Sequence, residues 1–146
     1  MGEVILIALK LVVVLGIQKT ASGSLITFQG GQGELLGSRS DYTYCLKLAE
    51  RSLERKQPVG IALSGNEVVG VARAEADIVS RLVEQKDKDQ LNIWFQGHDG
   101  TFALRYQHPE FRRISQALHT SMSEKKQLWF VAKKPLLEIQ DAAFTQ

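Results

Sequence analysis

The feature that most constrains the fold is a short segment that occurs twice. Ile26–Gly33 reads ITFQGGQG, and Ile93–Gly100 reads IWFQGHDG. An ungapped alignment of Leu25–Gly37 with Asn92–Leu104 gives five identities in thirteen positions, where about one is expected from average residue usage. In both copies the glycines separate two segments with the residue types of β-strands. The pattern predicts one β-hairpin used twice, in which glycine supplies the positive φ of the turn.

The order of predicted elements around the two hairpins is also the same. Each half is predicted to run strand, turn, strand, helix, strand, turn, strand. At the same offset, Tyr44 falls against Phe111 as the first apolar residue of a helix. We therefore predict an α+β fold with an antiparallel sheet, about three helices and an internal ββαββ duplication with pseudo-twofold symmetry. The predicted organisation is a single domain over 1–146, with half-repeats at 24–76 and 91–144.

Three helices are predicted from apolar residues at helical spacing. The first follows Ser40 or Asp41 as N-cap and ends before Pro58. The second is EADIVSRLVEQKDKD, whose apolar face would hold Ile78, Val79, Leu82 and Val83. The third has Pro109 in its first turn, and its apolar stripe would hold Phe111, Ile114, Leu118 and Met122.

An apolar run at the N-terminus, VILIALKLVVVLGI over Val4–Ile17, could be mistaken for a membrane span or an export signal. Lys10 divides it into runs of six and seven apolar residues, well below the roughly 20 that a spanning helix needs. No basic residue precedes it, which argues against a signal peptide. As extended chain, the odd positions from Ile5 to Leu15 form an apolar face. This predicts a buried strand, with two strands or a helix as open alternatives.

Several function classes are disfavoured by composition and spacing. A phosphate cradle needs its glycines at the start of a helix, whereas both tracts lie between predicted strands. The net charge of +2 over 146 residues falls short of the strongly basic balance of a dedicated nucleic-acid binder. The single cysteine, Cys45, excludes an internal disulfide and is typical of a reducing compartment, so we expect a cytoplasmic protein.

The residues that could carry catalysis or bind a metal are few. His98 and Asp99 are adjacent, and adjacent side chains in extended chain point to opposite faces, so a solvated turn is predicted rather than an acid–base pair. His108 is placed to cap a helix. Cys45 lies near a helix N-terminus, which can lower a thiol pKa, but a buried structural role is favoured. We predict no metal and no cofactor, and the absence of a catalytic motif disfavours an enzyme without deciding the question.

Binding residues are predicted on sheet faces and helix faces. Trp94 and Trp129 each precede a phenylalanine that is expected in the core, so alternation sends both indoles to the opposite face. Basic residues lie at Arg51 and Arg55 on the first helix and at Arg112 and Arg113 on the third. The sequence predicts a non-catalytic binding or scaffolding module without a membrane role, whose partner is a protein or a second copy in a homodimer. The alternatives are nucleic-acid binding through the basic helix faces and a small enzyme with a His/Asp site.

Overall fold

The computed structural model describes residues 8–144. The chain divides into two compact units, Met1–Arg73 (unit 1) and Ala74–Gln146 (unit 2). Each unit has its own six-stranded sheet and its own buried apolar cluster. The predicted mixture of α and β structure is confirmed. Within the described residues, neither helix is long and apolar enough to cross a membrane.

The elements of the two units follow the chain in the same sequence of types. Unit 1 has β1 (Lys10–Val12), β2 (Val14–Lys19), β3 (Gly23–Phe28), β4 (Gly31–Leu36), α1 (Tyr42–Arg55), β5 (Val59–Ser64) and β6 (Glu67–Arg73). Unit 2 has β7 (Glu75–Asp77), β8 (Val79–Gln85), a 3-10 turn (Lys86–Lys88), β9 (Gln90–Phe95), β10 (Phe102–Arg105), α2 (Phe111–Glu124), β11 (Leu128–Lys133) and β12 (Glu138–Ala143).

The sheet of each unit closes on itself. In unit 1 the strand order is β1-β5-β6-β4-β3-β2. β1 and β2 are separated by Val13 alone, yet they lie at opposite ends of this order, because β1 pairs with β5 and β2 pairs with β3. A single bent segment therefore joins both edges, and the sheet forms a small barrel. Unit 2 has the equivalent order β7-β11-β12-β10-β9-β8, with Ile78 between β7 and β8.

The predicted antiparallel sheet is matched only in part, because both sheets are mixed. β4 runs parallel to β6 through the pair Glu34 and Glu67, and β10 runs parallel to β12 through Ala103 and Glu138. The remaining pairings are antiparallel. The parallel contact arises because the helix after β4 lets the chain begin a new hairpin, whose second strand returns beside β4 in the same direction.

The prediction of a helix in the second of the three segments is wrong. The described residues contain two α-helices instead of about three. The segment forms β7 and β8. A β-bulge lies between Val79 and Arg81, so that Val79 pairs with Phe95 while Leu82 pairs with Ile93. A bulge adds one residue to one strand and shifts its alternation. Apolar residues three apart then point to the same side, which imitates helical spacing.

The N-terminal segment has a bulge at the equivalent place, between Val14 and Gly16. Val14 is 2% exposed and Leu15 is 61% exposed, so the predicted apolar face of odd positions is wrong at this point. Of the alternatives left open, two strands are observed, β1 and β2. Ile5 and Ile7, which belong to the same prediction, lie outside the described residues.

Both glycine tracts lie between strands, as the turn interpretation requires. The first hairpin turns at Gln29 and Gly30, where Gly30 has a φ of 94° and Gly31 already belongs to β4. The second tract lies in a longer connection between β9 and β10, with Gly100 at a φ of 93°. In both connections a glycine occupies the left-handed region that other residues rarely adopt.

Each helix packs one face onto its own barrel. The buried helical residues are Cys45, Ala49 and Ser52 in α1 and Ile114, Leu118 and Ser121 in α2. Asp41 is the N-cap of α1, and its carboxylate binds Arg39 instead of the helix N–H groups. Tyr44, predicted as the first apolar anchor, is 61% exposed. Tyr42 begins the helix instead, and its hydroxyl lies 2.7 Å from Ser24 Oγ.

A buried serine joins each helix to the bent strand. Ser52 Oγ accepts from the Val14 N–H at 3.0 Å and donates to the Gln57 carbonyl at 2.6 Å. Ser121 Oγ accepts from the Val79 N–H at 3.1 Å and donates to the Lys126 carbonyl at 2.7 Å. The bulge frees an N–H at the bend, and the serine hydroxyl satisfies it together with a carbonyl beyond the helix end.

We expect Ser121→Ala to lower the free energy of unfolding of unit 2 by about 1 to 3 kcal/mol, because a buried N–H and a carbonyl both lose their partner. Urea denaturation followed by tryptophan fluorescence measures this change, since Trp94 and Trp129 are the two tryptophans of the chain and both lie in unit 2. Ser123→Ala on the exposed side of α2 is the matched control. Equal stabilities for the two variants would contradict the role of Ser121.

Candidate ligand-binding groove

The outward faces of β9 and β10 form the floor of a groove on unit 2. Ile93 and Phe95 point into the barrel and are buried, so Trp94 between them points outward. The groove has a volume of about 650 Å³. Its walls come from the β8–β9 connection and the β11–β12 turn. The lining residues are Gln85, Lys88, Gln90, Asn92, Trp94, Thr101, Ala103, Arg105, Leu136 and Glu138.

Three side-chain amides form a hydrogen-bonded chain in the groove. Gln90 Nε2 donates to Asn92 Oδ1 at 2.7 Å, and Asn92 Nδ2 donates to Gln85 Oε1 at 2.8 Å. Each amide carries two N–H donors and an oxygen with two lone pairs. These two hydrogen bonds orient the three side chains, and each amide keeps donor or acceptor capacity beyond them.

The charged residues that line the groove are Lys88, Arg105 and Glu138, which give a net charge of +1. Arg105 Nε lies 3.5 Å from Glu138 Oε1, so these two side chains form an ion pair across the floor. Lys88 is exposed in the 3-10 turn and adds one cation. A groove with two cations and one carboxylate has a weak net field, and exposed pairs of this kind are further screened by salt.

Trp94 is the aromatic residue of the groove. Its side chain is half-buried, and the Arg81 guanidinium carbon lies 4.9 Å from the centre of its ring. Arg81 projects from the adjacent strand, β8, where it pairs with Trp94 across the ladder. A cation over an indole face is attracted by the ring quadrupole, so Arg81 holds the ring in place on the sheet.

The equivalent surface of unit 1 has different chemistry. It lies on β3 and β4, has a volume of about 500 Å³, and is lined by Leu25, Gln32, Gly33, Glu34, Leu36, Ser64, Asn66 and Glu67. These lining residues include two carboxylates but neither an aromatic ring nor a cation. Glu34 is already engaged, because it accepts from Ser22 Oγ at 2.6 Å and from Thr20 Oγ1 at 3.2 Å.

Of the predicted binding residues, Trp94 alone lines the groove of unit 2. Trp129 is half-buried on β11, where it pairs with Ala76 and Ala143. Arg51 and Arg55 are exposed on α1, and Arg112 is exposed on α2. Within unit 2, Trp129 and Arg112 are not among the residues that line the groove.

Arg113 is occupied by carboxylates of its own unit. Its Nη2 lies 2.6 Å from Asp141 Oδ1, its Nε lies 3.1 Å from Glu110 Oε1, and its Nη1 donates to the Ala142 carbonyl at 3.2 Å. Burial lowers the pKa of the Arg113 guanidinium, but hydrogen bonds to Glu110 and Asp141 raise it by more. Arg113 therefore ties α2 to β12, which leaves less of its guanidinium for a phosphate.

His98 has a carboxylate partner, but a different one from its neighbour Asp99. His98 Nδ1 donates to Asp77 Oδ2 at 2.6 Å, and His98 Nε2 lies 3.6 Å from Glu75 Oε2. The ring also packs edge-on against Phe130, with the ring centres 5.3 Å apart. No sequence signal links His98 to Asp77, because the contact depends on how β7 pairs beside the β9–β10 connection.

Asp77 accepts three hydrogen bonds in the barrel of unit 2. Besides His98, the N–H groups of Ile78 and Gly97 each donate to it at 2.7 Å. Burial raises the pKa of the Asp77 carboxyl, but these hydrogen bonds lower it by more, so the pKa lies below its usual value. An ionised carboxylate with three donors fastens the start of the β9–β10 connection to β7.

Two other candidate residues have structural partners. His108 Nδ1 accepts from the Glu110 N–H at 3.0 Å, so its Nε2 carries the proton and donates to the Gln140 carbonyl at 2.8 Å. Glu110 is the N-cap residue of α2, and no side chain caps the N–H groups of the helix, so the predicted capping by His108 is wrong. Cys45 is buried, and burial together with Asp41 raises the pKa of its thiol to about 11. The predicted burial of Cys45 is therefore confirmed, and the raised pKa disfavours the thiolate form.

In residues 8–144, no group of three or more His, Cys, Asp or Glu side chains is placed to hold a metal ion. The groove residues that the sequence prediction missed come from separated segments and carry no motif; the alternation around Trp94 could have indicated Asn92 and Gln90 as its neighbours on the same face. No protein-family model, curated protein or solved structure matches the chain.

Proposed function

We propose that the chain is a non-catalytic binding module whose ligand lies in the groove of unit 2. The observation that carries this proposal is a formed groove of about 650 Å³ that combines an oriented indole with a chain of amides. Ligand sites in proteins are concave and combine apolar surface with a few oriented polar groups. The equivalent surface of unit 1 lacks the aromatic ring, so we place the ligand in unit 2.

The barrel topology supports the same location. When the bent segment β7–β8 is counted as one strand, unit 2 has five strands in the closed order 1-4-5-3-2-1. This is the order of the oligonucleotide/oligosaccharide-binding barrel, which uses the face of its second and third strands and the adjoining loops for ligands. Those strands are β9 and β10. Because a fold by itself does not fix a function, the groove carries the proposal and the topology supports its position.

The arrangement of His98 argues for binding and against catalysis. Both ring nitrogens are directed at carboxylates of β7, so neither is presented to a substrate as a general base. Asp99 is exposed in the same connection and has no role in this arrangement. The alternative of a small enzyme therefore loses its support, because His98 pairs with Asp77 and Glu75 and not with Asp99. An activity assay would test it separately.

The predictions of a protein partner and of a homodimer remain predictions. Trp129, Arg51, Arg55 and Arg112 are at least partly accessible and could contribute to such contacts outside the groove. Light scattering tests self-association directly: a homodimer gives twice the mass of the 16.3 kDa chain, and a monomer at all concentrations would contradict it.

We also propose that the two units arose by duplication of one barrel. The support is the shared strand order, the parallel pair in each sheet, the bulge in each bent segment and the serine that satisfies it. On this proposal, the inward positions kept their packing role while the outward positions of β9 and β10 acquired a ligand surface.

We expect a ligand in the groove to change the fluorescence of Trp94. A Trp129→Phe variant leaves Trp94 as the single tryptophan, so its emission reports on the groove alone. The probes are neutral and acidic oligosaccharides, oligo(dT) and a library of short peptides. Trp94→Phe, which keeps Trp129, is the control and should show no saturable change. If no probe in any of the three classes changes the Trp94 emission, the proposed function is wrong.

A further inference from the structure

We infer that one flank of α1 in unit 1 binds an acidic helical segment of a partner protein. This flank, called the basic flank below, is formed by Tyr44, Lys47, Leu48, Arg51 and Arg55. Their spacing along the chain places them on one side of the helix. The inference concerns unit 1 and does not depend on the ligand groove of unit 2.

The basic flank is accessible to a partner. Tyr44 is 61% exposed, and the side chains of Lys47, Arg51 and Arg55 are also exposed. Leu48 is half-buried, because part of it packs against the apolar cluster of unit 1. The residues that α1 buries against its barrel lie on another side of the helix.

The three cations of the basic flank have no internal role. Other arginines, such as Arg39 and Arg113, bind carboxylates of their own unit. Among residues 8–144, by contrast, no ion pair joins Lys47, Arg51 or Arg55 to a carboxylate. Their charges are therefore available for contacts with another molecule.

The charges of α1 are arranged in two rows of opposite sign. Lys47, Arg51 and Arg55 are four residues apart, and so are Glu50 and Glu54 in the second row. Like charges at this spacing repel each other on a helix, whereas opposite charges attract. Alternating signs along each row would stabilise α1 better, so helix stability does not explain the basic row. A partner that carries carboxylates opposite this row removes the repulsion.

The equivalent helix of unit 2 shows that the fold does not require the basic row. Ser52 of α1 and Ser121 of α2 have the same hydrogen-bond partners in their units, so residues 69 apart correspond. The three cations of the basic flank then correspond to Gln116, Thr120 and Glu124. Since α2 packs on its barrel without a row of cations, packing does not account for the row in α1.

Tyr44 supports a binding role for the same flank. Its equivalent in α2 is Arg113, which is held by Glu110 and Asp141. Tyr44 has no comparable task in unit 1 and projects from the helix at 61% exposure. Tyrosine and arginine are the residue types that most often anchor protein interfaces. The flank thus combines an aromatic anchor with three cations.

The spacing of the cations matches an acidic helix. Residues four apart on an α-helix are separated by about 6 Å along its axis, so glutamates four apart on a partner helix can face Lys47, Arg51 and Arg55 in turn. Tyr44 offers an apolar contact for a leucine or phenylalanine of that helix. A nucleic acid suits the surface less, because the row of Glu50 and Glu54 repels its phosphates.

Fluorescence anisotropy of the full chain with a labelled helical peptide tests the inference. The peptide carries glutamates four residues apart with leucines beside them, and a control peptide carries lysines in place of the glutamates. We expect the glutamate peptide alone to bind, and to bind more weakly at high salt, because exposed charges are screened. Arg51→Glu should weaken this binding by about fivefold or more.

Matched variants separate a specific surface from general charge attraction. Arg112→Glu makes the same change of charge on α2 and should alter the affinity by less than about twofold. Tyr44→Ala should weaken binding by about fivefold, and Tyr44→Phe should retain it. Circular dichroism establishes that each variant is folded. Arg51→Glu should melt no lower than the wild-type chain, because its carboxylate lies four residues from both Lys47 and Arg55.

Three results would overturn the inference. Failure of the glutamate peptide to bind means that the basic flank does not take an acidic helix. Equal losses in Arg51→Glu and Arg112→Glu mean that the attraction is not specific to α1. Binding of oligo(dT) that depends on Arg51, without binding of the peptide, makes the flank a nucleic-acid surface. Each result leaves the proposed ligand groove untouched, since Trp94 emission tests that groove separately.

Discussion

Phe95→Ala is expected to lower the free energy of unfolding of unit 2 by about 3 to 5 kcal/mol. Phe95 is 4% exposed and lies in the centre of the barrel. Its ring stacks on Phe130 with the ring centres 4.1 Å apart and meets Phe102 edge-on at 5.1 Å. Truncation removes both aromatic contacts and leaves a cavity that rigid strands cannot close, which places the cost at the upper end for a core residue.

Urea denaturation followed by tryptophan fluorescence measures the effect, because both tryptophans lie in unit 2. Asn92→Ala is the matched control: it lies on the same strand, points outward, and should cost less than about 1 kcal/mol. Phe28 holds the equivalent position in unit 1, where it pairs with Val14 as Phe95 pairs with Val79. A Phe95→Ala variant as stable as the Asn92→Ala variant would mean that the faces of β9 are assigned backwards.

The assignment of Phe95 to the core was accessible from the sequence, and the reason is local. In β9, Leu91, Ile93 and Phe95 alternate strictly with polar or amphipathic residues, so period-two patterning identifies both faces. The two observed helices were predictable for a similar reason, since each has apolar residues at helical spacing and a proline just outside one of its ends. These elements need no information from distant parts of the chain.

The elements that were mispredicted are those in which a distant partner alters the local pattern. In β8 the bulge beside β9 changes the side on which residues point, so that Val79 and Leu82 share a face. The bulge in β2 has the same effect at Val14 and Leu15. A bulge is defined by the register of two strands. It therefore cannot be read from the spacing within one strand.

The candidate site was predictable only in part. Alternation placed Trp94 on the outward face, which is correct. The remaining walls of the groove come from the turn after β8 and from the turn before β12, and their approach depends on the parallel pairing of β10 with β12. Arg113 also could not be assigned from the sequence, because its partner Asp141 lies 28 residues away along the chain. The sequence predicts Arg113 as part of an exposed basic helix face, whereas in the structure it forms an ion pair within unit 2.

The second large loss of stability is expected on substitution of Asp77, a residue that carries no functional signal in the sequence. Asp77→Ala should lower the free energy of unfolding of unit 2 by about 1 to 3 kcal/mol, because the partly buried N–H groups of Ile78 and Gly97 and the ring of His98 lose a charged acceptor. Asp99→Asn, in the same connection but exposed, should change stability by less than about 0.5 kcal/mol. Tryptophan fluorescence in urea gives both values.

The stabilisation by Asp77 also has a predictable pH dependence. The folded pKa of this carboxyl lies below the usual value of 3.8, so the folded state binds its proton less readily than the unfolded state. The contribution is therefore complete above the unfolded pKa and is lost as the pH falls below about 4 towards the folded pKa. The stability difference between the wild-type chain and Asp77→Asn should accordingly be largest near neutral pH and shrink in acid. A difference that stays constant between neutral pH and about pH 3 would mean that hydrogen-bond geometry, and not the carboxylate charge, fastens the β9–β10 connection.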